Sequence, residues 1–271
     1  MLDELPRKSR RQANEVFTPL DHHAAVGSIL SGLTDSIVYV DNRDEPKCAL
    51  TWTKSRIFLS GELNDEDNRR AAEIIREKIR IDSLNRGARY FVLYFDTEMS
   101  QQDLLELLDG VKAHPDTRNY YELDTRTRER GEAERDWFRL EIIDRRFLNG
   151  PYKNLDRVEE EMCSERSSVD DFLEKSLGVC GVIGDEVVSW CMSEYNHGKR
   201  YEIGIATVDK HRRKGLATST ADVLMRRCME RGFSQVGWHC WKRNEPSNRT
   251  ALRLGFRFVE SYPVYVLEVN S

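Results

Sequence analysis

The segment between Tyr201 and Thr218 has residue types and a spacing that could hold a phosphate group. A largely apolar stretch comes first, a basic loop follows, and a long amphipathic helix then begins. The first turn of a helix leaves backbone N–H groups without intrahelical partners and carries a partial positive charge, so it attracts anions. The run Arg212–Lys214 adds positive charge, and Gly215 lets an anion approach the backbone closely. We therefore predict that this loop binds a pyrophosphate.

The spacing of the loop, Arg212-x-x-Gly215-x-Ala217, resembles the acyl-CoA loop of the GNAT superfamily of N-acyltransferases, which runs Arg/Gln-x-x-Gly-x-Gly/Ala. Taken alone, these six residues would equally suit a solvated, basic start of a helix. The surrounding order is also similar, because a strand precedes the loop and a helix, a strand, a short helix and a last strand follow it. The resemblance covers about Phe138 to the C-terminus and implies the mixed α/β fold of a GNAT acetyltransferase.

Further segments resemble one branch of that superfamily, the family of the zwittermicin A resistance acetyltransferase. They include Trp238-His-Cys-Trp241, Asn244-x-x-Ser247 and, near the start of the chain, Phe58-Leu-Ser-Gly-Glu62. This narrower resemblance spans nearly the whole chain. It implies a C-terminal GNAT domain preceded by a smaller α/β domain, which would be either a degenerate copy of the same fold or a lid that shapes the acceptor pocket.

A polar stretch between Gly110 and Asp136 marks the domain boundary that the sequence predicts. Residues 1–15 are polar and basic, and we expect them to be mobile. The N-terminal α/β domain would span residues 16–125, and the acetyltransferase domain would span residues 126–271. The charged run Asp124–Arg135 suits a solvated linker or the surface of a hairpin.

The composition excludes several classes of protein. With 271 residues, of which 39% are hydrophobic, the chain can bury a sizeable core. Its net charge of −5 gives no general attraction to nucleic acid or acidic membranes. No apolar run is long enough to cross a bilayer, and the basic N-terminus lacks the apolar core of a secretory signal. We expect a cytoplasmic protein, either a monomer or a homodimer, without a nucleic-acid or membrane partner.

Metal-ligand spacing is also missing from the sequence. The six cysteines show no paired spacing, so neither a disulfide framework nor a zinc site is expected. His239 and Cys240 are adjacent on a strand and point to opposite faces, so they cannot bind one ion together. In the N-terminal domain, His22 and His23 suit a helix surface better than a ligand set. We therefore predict no metal site.

The GNAT resemblance implies which residues would hold acetyl-CoA. The backbone of Arg213–Ala217 would bind the pyrophosphate, with Arg212 as charge partner and Thr218 capping the helix. The strand before the loop would open from its neighbour and take the pantetheine arm, although an ordinary edge strand would look the same. Asn244 would contact the pantetheine and Ser247 would open the last helix, although Asn244 also suits a simple turn. The implied cofactor-binding residues are Ile205, Ala206, Thr207, Arg212, Arg213, Lys214, Gly215, Leu216, Ala217, Thr218, Asn244 and Ser247.

Transfer of an acetyl group to an amine needs a base that removes a proton from the amine. Glu202, on the strand before the loop, is the first candidate because some members of the superfamily keep an acidic base there. A solvent-facing or structurally paired glutamate is an equal alternative. His239, on the neighbouring strand, is the second candidate because its reference pKa is near neutral. A histidine between two tryptophans also suits a packed core.

The departing thiolate takes up a proton. Many GNAT enzymes carry a tyrosine seven residues after the asparagine, but this chain has Ala251 at that position. Tyr262 and Tyr265 on the final strand, His239, or water remain as donors, since a thiolate with a pKa of about 8.5 leaves without much help. The predicted catalytic residues are therefore Glu202, His239 and Tyr265.

Two classes of function remain after these observations. The first is an acetyl-CoA-dependent N-acetyltransferase that acts on a primary amine of a small molecule by direct attack in a ternary complex; an antibiotic-like or aminopolyol acceptor is one form of it. Trp190, Trp238 and Trp241 could line an amine pocket through cation–π contacts, although core packing explains at least two of them. The alternative is a non-catalytic acyl-CoA-binding module or sensor. A nucleoside triphosphate enzyme is disfavoured because the chain lacks Gly-x₄-Gly-Lys-Ser/Thr.

Overall fold

A computed structural model describes residues 2–127 and 137–269 as a mixed α/β protein, as predicted. Residues 128–136 of the predicted linker lie outside the described residues. The strands are β1 (Asp3–Glu4), β2 (Val38–Val40), β3 (Cys48–Thr53), β4 (Arg56–Gly61), β5 (Tyr90–Phe95), β6 (Lys112–Asp124), β7 (Arg139–Ile142), β8 (Gly178–Ile183), β9 (Glu186–His197), β10 (Arg200–Thr207), β11 (Gln235–Trp241) and β12 (Arg257–Glu268). The α-helices are α1 (Ala24–Leu30), α2 (Asp65–Arg86), α3 (Gln101–Leu107), α4 (Arg145–Leu148), α5 (Leu155–Glu165), α6 (Val169–Lys175), α7 (Leu216–Glu230) and α8 (Glu245–Arg253).

The chain forms two compact units. Unit 1 comprises Met1–Arg118 and Tyr262–Ser271, and unit 2 comprises Asn119–Ser261. This division differs from the predicted boundary near residue 125, because the change of unit falls inside β6. The end of the chain returns to unit 1, where the last part of β12 pairs antiparallel with β5. Such long-range strand pairing leaves no local signal in the sequence.

Unit 1 is built on a sheet with the strand order β1-β2-β3-β4-β5-β12-β6. Within it, β4 and β5 pair in parallel from Arg56↔Val92 to Leu59↔Phe95. The sequence of β5 is almost entirely apolar, as is typical of a central strand, and β5 lies between two other strands. The long helix α2 covers the sheet with Ile75 and its apolar neighbours, which belong to one buried cluster with residues of β4 and β5.

The start of α2 follows a strand, as the start of α7 does, but its chemistry does not suit an anion. The side chain of Asn64 accepts hydrogen bonds from the backbone N–H groups of Glu66 and Asp67, at 3.0 and 2.9 Å. The first turn also carries three acidic residues, beginning at Asp65. A helix start that is already capped and negatively charged repels a phosphate group.

Two expectations for the N-terminal part of the chain are wrong. Residues 2–15 are not mobile, since β1 pairs with β2 and the side chains of Leu2 and Leu5 are each only 1% exposed. His23 is not on a helix surface either, because its side chain is buried in unit 1. Its ring lies 4.6 Å from that of Tyr94, between centroids. The sequence did not show these contacts because the partners are distant along the chain.

Unit 2 has the strand order β12-β6-β11-β10-β9-β8-β7 and helices on both faces of its sheet. One face packs α7 and α8 against residues such as Tyr201 and Trp238. The other face packs α5 and α6 against residues such as Trp190 and Met192. Because successive side chains of a strand point to opposite faces, β8, β9 and β10 contribute to both cores. Across the described parts of the chain, no helix has the length and hydropathy to span a bilayer.

The cap on α2 gives a first prediction. We expect the substitution Asn64→Ala to lower the free energy of unfolding by about 1 kcal/mol, because two backbone donors lose their acceptor. Urea unfolding followed by circular dichroism measures the change. Asn85→Ala, at an exposed position near the other end of α2, is the matched control and should leave stability unchanged or slightly higher. Equal losses in both variants would contradict the cap.

Candidate active site

Strand β10 separates from β11 partway along its length. It pairs with β9 as far as Thr207, whereas its parallel pairing with β11 ends at Glu202↔Gly237. From Ile203 onwards, the edge of β10 that faces β11 has no strand partner among the described residues. An extended ligand with amide groups could therefore pair with this edge as an additional strand.

The predicted pantetheine residues Ile205, Ala206 and Thr207 lie on this open segment. Ile205 packs with the core under α7, whereas Ala206 packs with the core under α5. The hydroxyl oxygen of Thr207 lies 2.8 Å from that of Ser189, which also donates to the carbonyl oxygen of Ala206 at 2.8 Å. These bonds fasten the segment to β9 and leave its other edge available.

The loop after β10 has the backbone geometry of an anion site. Arg213 and Gly215 adopt left-handed conformations, with φ of 62° and 86°. No side chain caps α7. In residues 2–127 and 137–269, the backbone N–H groups from Arg213 to Ala217 have no protein acceptor. Several N–H groups at a positive helix end therefore remain for a bound anion.

The basic residues of this loop differ in how they are paired. The guanidinium of Arg212 lies 2.7 Å from the carboxylate of Asp209, and its Nε donates to the carbonyl oxygen of Thr207 at 3.3 Å. Arg213 and Lys214 are exposed, and neither has an ion-pair partner within the described residues. Because an exposed ion pair contributes little, the charge available to a ligand comes from all three residues.

The structure places Thr218 and Leu216, at the start of α7, differently from what was predicted for their side chains. Thr218 does not cap α7, because the capping position is Gly215, three residues earlier. The side chain of Leu216 is only 1% exposed and packs with Phe138 in a small core. Leu216 can therefore face a ligand only with its backbone.

The predicted residues Asn244 and Ser247 have hydrogen-bond partners inside unit 2. The side-chain oxygen of Asn244 accepts from the backbone N–H of Ser247 at 3.3 Å, which caps α8. The hydroxyl of Ser247 accepts from the indole N–H of Trp238 at 3.0 Å. These bonds agree with the alternative that Asn244 shapes a turn, and contact with a cofactor stays a prediction.

Glu202 and His239 lie together on the face of the sheet that α5 and α6 cover. The Oε1 atom of Glu202 is 3.7 Å from Nε2 of His239, and the two side chains are 2% and 4% exposed. The ring of Tyr120 stacks on the imidazole, with centroids 4.6 Å apart. Burial, with Glu122 adding to it, raises the pKa of Tyr120 to about 12, so this phenol stays protonated. A buried carboxylate beside an imidazole can accept a proton from a substrate and share it.

Gly237 makes this arrangement possible. A Cβ atom at this position would lie 3.3 Å from the ring of Tyr120 and 3.4 Å from Cγ of Glu202. The contact with the ring is tight, so Tyr120 would have to shift slightly to accept a side chain here. The absence of a side chain at Gly237 therefore lets Glu202 and Tyr120 approach each other at the point where the two strands part.

Sequence reasoning missed a second carboxylate at the gap. A Cβ atom on Gly204 would meet Oε1 of Glu194 at 2.1 Å, so the side chain of Glu194 covers this glycine. Gly204 lies two residues after Glu202 and therefore on the same face of β10. The glycine within the strand was the available signal, because it often marks a close approach of another group.

A cleft of about 570 Å³ adjoins the open segment of β10. One wall comes from α5, and the indole of Trp190 forms another part of the lining. Trp190 is 6% exposed, and Trp238 is 2% exposed, so both also pack in cores, as the alternative for the tryptophans predicted. The lining residues are Arg157, Glu160, Glu161, Ser164, Trp190, Ala206, Thr207, Val208, Asp209 and Arg212.

Sequence reasoning also missed Asn248, which links the elements on the other face of β11. Its Oδ1 atom accepts from Nδ2 of Asn119 at 2.7 Å, from the hydroxyl of Tyr121 at 2.6 Å and from the thiol of Cys240 at 3.3 Å. Its Nδ2 donates to the carbonyl oxygens of the turn after β11, the shortest bond being 2.7 Å to Asn244. The signal was an asparagine inside a helix, where this residue type is unfavourable.

The third predicted catalytic residue, Tyr265, belongs to unit 1. It pairs with Leu93 in the sheet, and its ring lies 5.7 Å from that of Phe95, between centroids. The other tyrosine considered, Tyr262, is also in unit 1 and is 6% exposed. A role for Tyr265 in proton transfer stays a prediction.

Comparisons with known proteins agree with this geometry. A family model described as GNAT acetyltransferase matches residues 15–265. The chain therefore belongs to the GNAT acetyltransferase family and is an acyltransferase. It is 26% identical over 270 residues to an uncharacterized N-acetyltransferase, YdfB, of Bacillus subtilis strain 168, and the match covers 98% of each chain.

Solved structures show the same fold. A GCN5-related N-acetyltransferase-like protein from Streptococcus suis 89/1591 has a TM-score of 0.72 and 21% identity, over 96% of this chain and 99% of that one. A tandem GNAT protein from the clavulanic acid biosynthesis pathway has a TM-score of 0.56 and 11% identity, over 100% and 99% of the two chains. The second comparison extends the likeness in fold to a protein with two GNAT domains.

The bonds of Asn248 give a second prediction. We expect Asn248→Ala to lower the free energy of unfolding by about 2 kcal/mol, because buried donors on β6 and β11 lose their acceptor and the carbonyl groups of the following turn lose their donor. Urea unfolding of the variant measures this loss. Arg249→Ala, at the next position, removes only an exposed ion pair with Glu245 and should change stability little. A neutral Asn248→Ala would show that the network is not needed for stability.

Proposed function

We propose that this protein transfers an acetyl group from acetyl-CoA to a primary amine of a small molecule. The supporting observation is that the unpaired edge of β10 is followed directly by the uncapped N-terminus of α7. The edge runs from Ile203 to Thr207, and the N–H groups without protein acceptors follow between Arg213 and Ala217. One extended molecule with amides at one end and a pyrophosphate at the other would satisfy both.

Different parts of the chain bind different parts of acetyl-CoA. The N–H groups of the loop bind the pyrophosphate oxygens, and Arg213 and Lys214 offset the negative charge. The open edge of β10 pairs with the amides of the pantetheine arm. The bound molecule supplies an acetyl thioester, and β10 orients it in the gap beside β11. Backbone N–H groups at the gap are the available donors for the negative charge that develops on the carbonyl oxygen.

Glu202 is the proposed base, and His239 shares its proton. The carboxylate removes a proton from the ammonium group of the acceptor, and the neutral nitrogen then attacks the thioester carbon. Formation of the C–N bond gives a tetrahedral intermediate, whose nitrogen releases its second proton to water. The C–S bond then breaks, and the electron pair of that bond leaves with the sulfur. The 3.7 Å separation of Glu202 and His239 lets a small rotation join them by a hydrogen bond once the proton has been taken.

The cleft beside β10 is the proposed entry site of the acceptor. It adjoins Ala206 and Thr207, so an amine bound there lies next to the gap. Glu160, Glu161 and Asp209 outnumber Arg157 and Arg212 in the lining, which slightly favours a cationic molecule over an anionic one. An aminopolyol or another antibiotic-like amine suits a polar cleft of this size, and the resemblance to the zwittermicin A resistance branch supports that acceptor class.

A second candidate function is a non-catalytic acyl-CoA-binding module or sensor. The observation that favours it is Ala251, which stands where many GNAT enzymes carry a tyrosine and is fully buried. Such a module would bind acetyl-CoA through the same loop and edge but would not need Glu202. Turnover with a panel of amines, measured as thiol release, distinguishes the two.

We also propose that the protein works in the cytoplasm, as a monomer or a homodimer. All six cysteines are free thiols, and five of them are buried. This pattern suits a reducing compartment. The proposed active-site residues Glu202 and His239 and the loop all come from unit 2, which supports a site complete within one chain.

The helix start gives a third prediction. We expect Gly215→Ala to weaken acetyl-CoA binding about tenfold or more, because a side chain at a φ of 86° strains the backbone whose N–H groups hold the pyrophosphate. Isothermal titration calorimetry measures the affinity. Gly232→Ala is the matched control, since Gly232 follows α7 at a φ of 88° with open space around it. It should lose similar stability and keep the affinity; equal weakening in both variants would count against the loop.

The proposed base gives a fourth prediction. We expect Glu202→Gln to lower kcat by about 10²- to 10⁴-fold, because the amide cannot take the proton from the amine. The dissociation constant of acetyl-CoA should stay within about twofold of the wild type, since Glu202 lies on the face away from α7. Glu194→Gln removes the other carboxylate at the gap. Should that variant lose turnover while Glu202→Gln keeps it, the base is Glu194.

A further inference from the structure

Tyr121 places a hydroxyl beside α8, close to Ala251. Its phenol is 4% exposed and donates to Oδ1 of Asn248 at 2.6 Å. Asn248 and Ala251 are three residues apart on α8, so their side chains are neighbours on one face of the helix. Tyr121, Ala251 and Cys240 all belong to one buried cluster.

A tyrosine at position 251 would lean over the same part of α8. Long side chains on a helix lean toward the N-terminus, over the residues three and four positions earlier. For position 251 these residues are Asn248 and Ser247. Because the hydroxyl of Tyr121 is bonded to Asn248, a strand residue supplies the group that a helical tyrosine would have supplied.

The same network reaches the strand that borders the gap. Cys240 lies on β11 beyond Gly237, where pairing with β10 has ended, and its Sγ is 3.3 Å from Oδ1 of Asn248. The preceding residue, His239, points to the opposite face of β11. The proposed base and Tyr121 therefore lie on opposite faces of the sheet. In a tetrahedral intermediate bound in the gap, the amine could then face Glu202 on one side, and the sulfur could face Tyr121 on the other.

We propose that Tyr121 is the proton donor to the coenzyme A thiolate as it leaves, an inference that rests on the proposed acetyl transfer. When the C–S bond of the tetrahedral intermediate breaks, its electron pair goes to the sulfur. The phenolic O–H of Tyr121 turns from Oδ1 of Asn248 to the sulfur, stabilises this charge and passes its proton to the sulfur. The phenolate then takes up, through water, the second proton that the nitrogen releases as the amide forms. Asn248 and Asn119 act as positioning residues, because they hold the phenol.

The surroundings of Tyr121 suit a donor. Burial raises the pKa of its phenol, and the facing thiol of Cys240 adds to the rise. Asn119 and Asn248, which touch the hydroxyl, are neutral. The phenol therefore keeps its proton throughout the pH range in which a thiol with a pKa of about 8.5 ionises.

The experiment titrates the thiol of bound coenzyme A in the wild type and in Tyr121→Phe. The ultraviolet absorbance of the thiolate, taken as the difference from protein alone, reports its ionisation. Because a hydrogen bond to an ion stabilises it, we expect the midpoint to be about one pH unit higher in the variant. We also expect kcat for acetyl transfer to fall about 10²-fold, with the dissociation constant of acetyl-CoA within about twofold of the wild type.

Tyr152→Phe makes the same chemical change elsewhere in unit 2 and should alter neither quantity. An unchanged midpoint with an unchanged kcat would overturn the proposal. So would weaker cofactor binding at an unchanged midpoint, because Tyr121 would then act only through structure. If Tyr121→Phe does not fold, 3-fluorotyrosine at position 121 keeps the shape and is a stronger donor, so it should lower the midpoint. Wild-type protein that binds coenzyme A but never acetylates an amine would refute the proposed function, while the titration would still test the contact with sulfur.

Discussion

The parallel pairing between β10 and β11 stops after Glu202 and Gly237, and the rest of the candidate site depends on this stop. A buried strand edge without partners costs free energy, so native proteins rarely keep one. Here the register of β10 against β9 also shifts between Tyr201 and Ile203, at the same level of the sheet. The shift and the glycine at position 237 let the strands part at this level, and a ligand with its own amides would complete the pairing.

Both units contain the order strand, helix, strand, helix, strand, so the effect of the early end of the β10–β11 pairing can be seen by comparing them. In unit 1, the pairing of β4 with β5 continues to Leu59↔Phe95, and Asn64 caps the following helix, which begins with acidic residues. In unit 2, the pairing ends early, and the following helix begins with a glycine behind basic residues. The two units therefore differ both in the strand edge and in the start of the helix that follows it. The described residues of unit 1 therefore have, at the corresponding positions, neither the open edge nor the uncapped, basic helix start of unit 2.

Local residues were enough to predict much of unit 2. The loop, the start of α7 at Leu216 and the strand leading to the gap follow from glycine positions, charge and apolar periodicity over short stretches. The fold class and the long helix α2 were predictable for the same reason. The unit boundary inside β6 was not, because the last part of β12 pairs with a strand that lies far away in the sequence. The burial of His23 depends on Tyr94 in the same way.

The side chains around Asn248 show why the rest of the site escaped the sequence. The resemblance to GNAT enzymes implies a tyrosine hydroxyl at the position of Ala251, and alanine does not supply one. The packed core changes this interpretation, because a fully buried alanine leaves room that a neighbour must fill. Tyr121, more than a hundred residues earlier, belongs to that core and brings its hydroxyl to Asn248. Tyrosines at both positions would overpack the cluster. The small side chain of Ala251 on α8 therefore leaves the space that Tyr121 on β6 fills. The proposed role of Tyr121 therefore depends on how side chains from several elements pack together. A sequence motif contains the residues of only one of those elements.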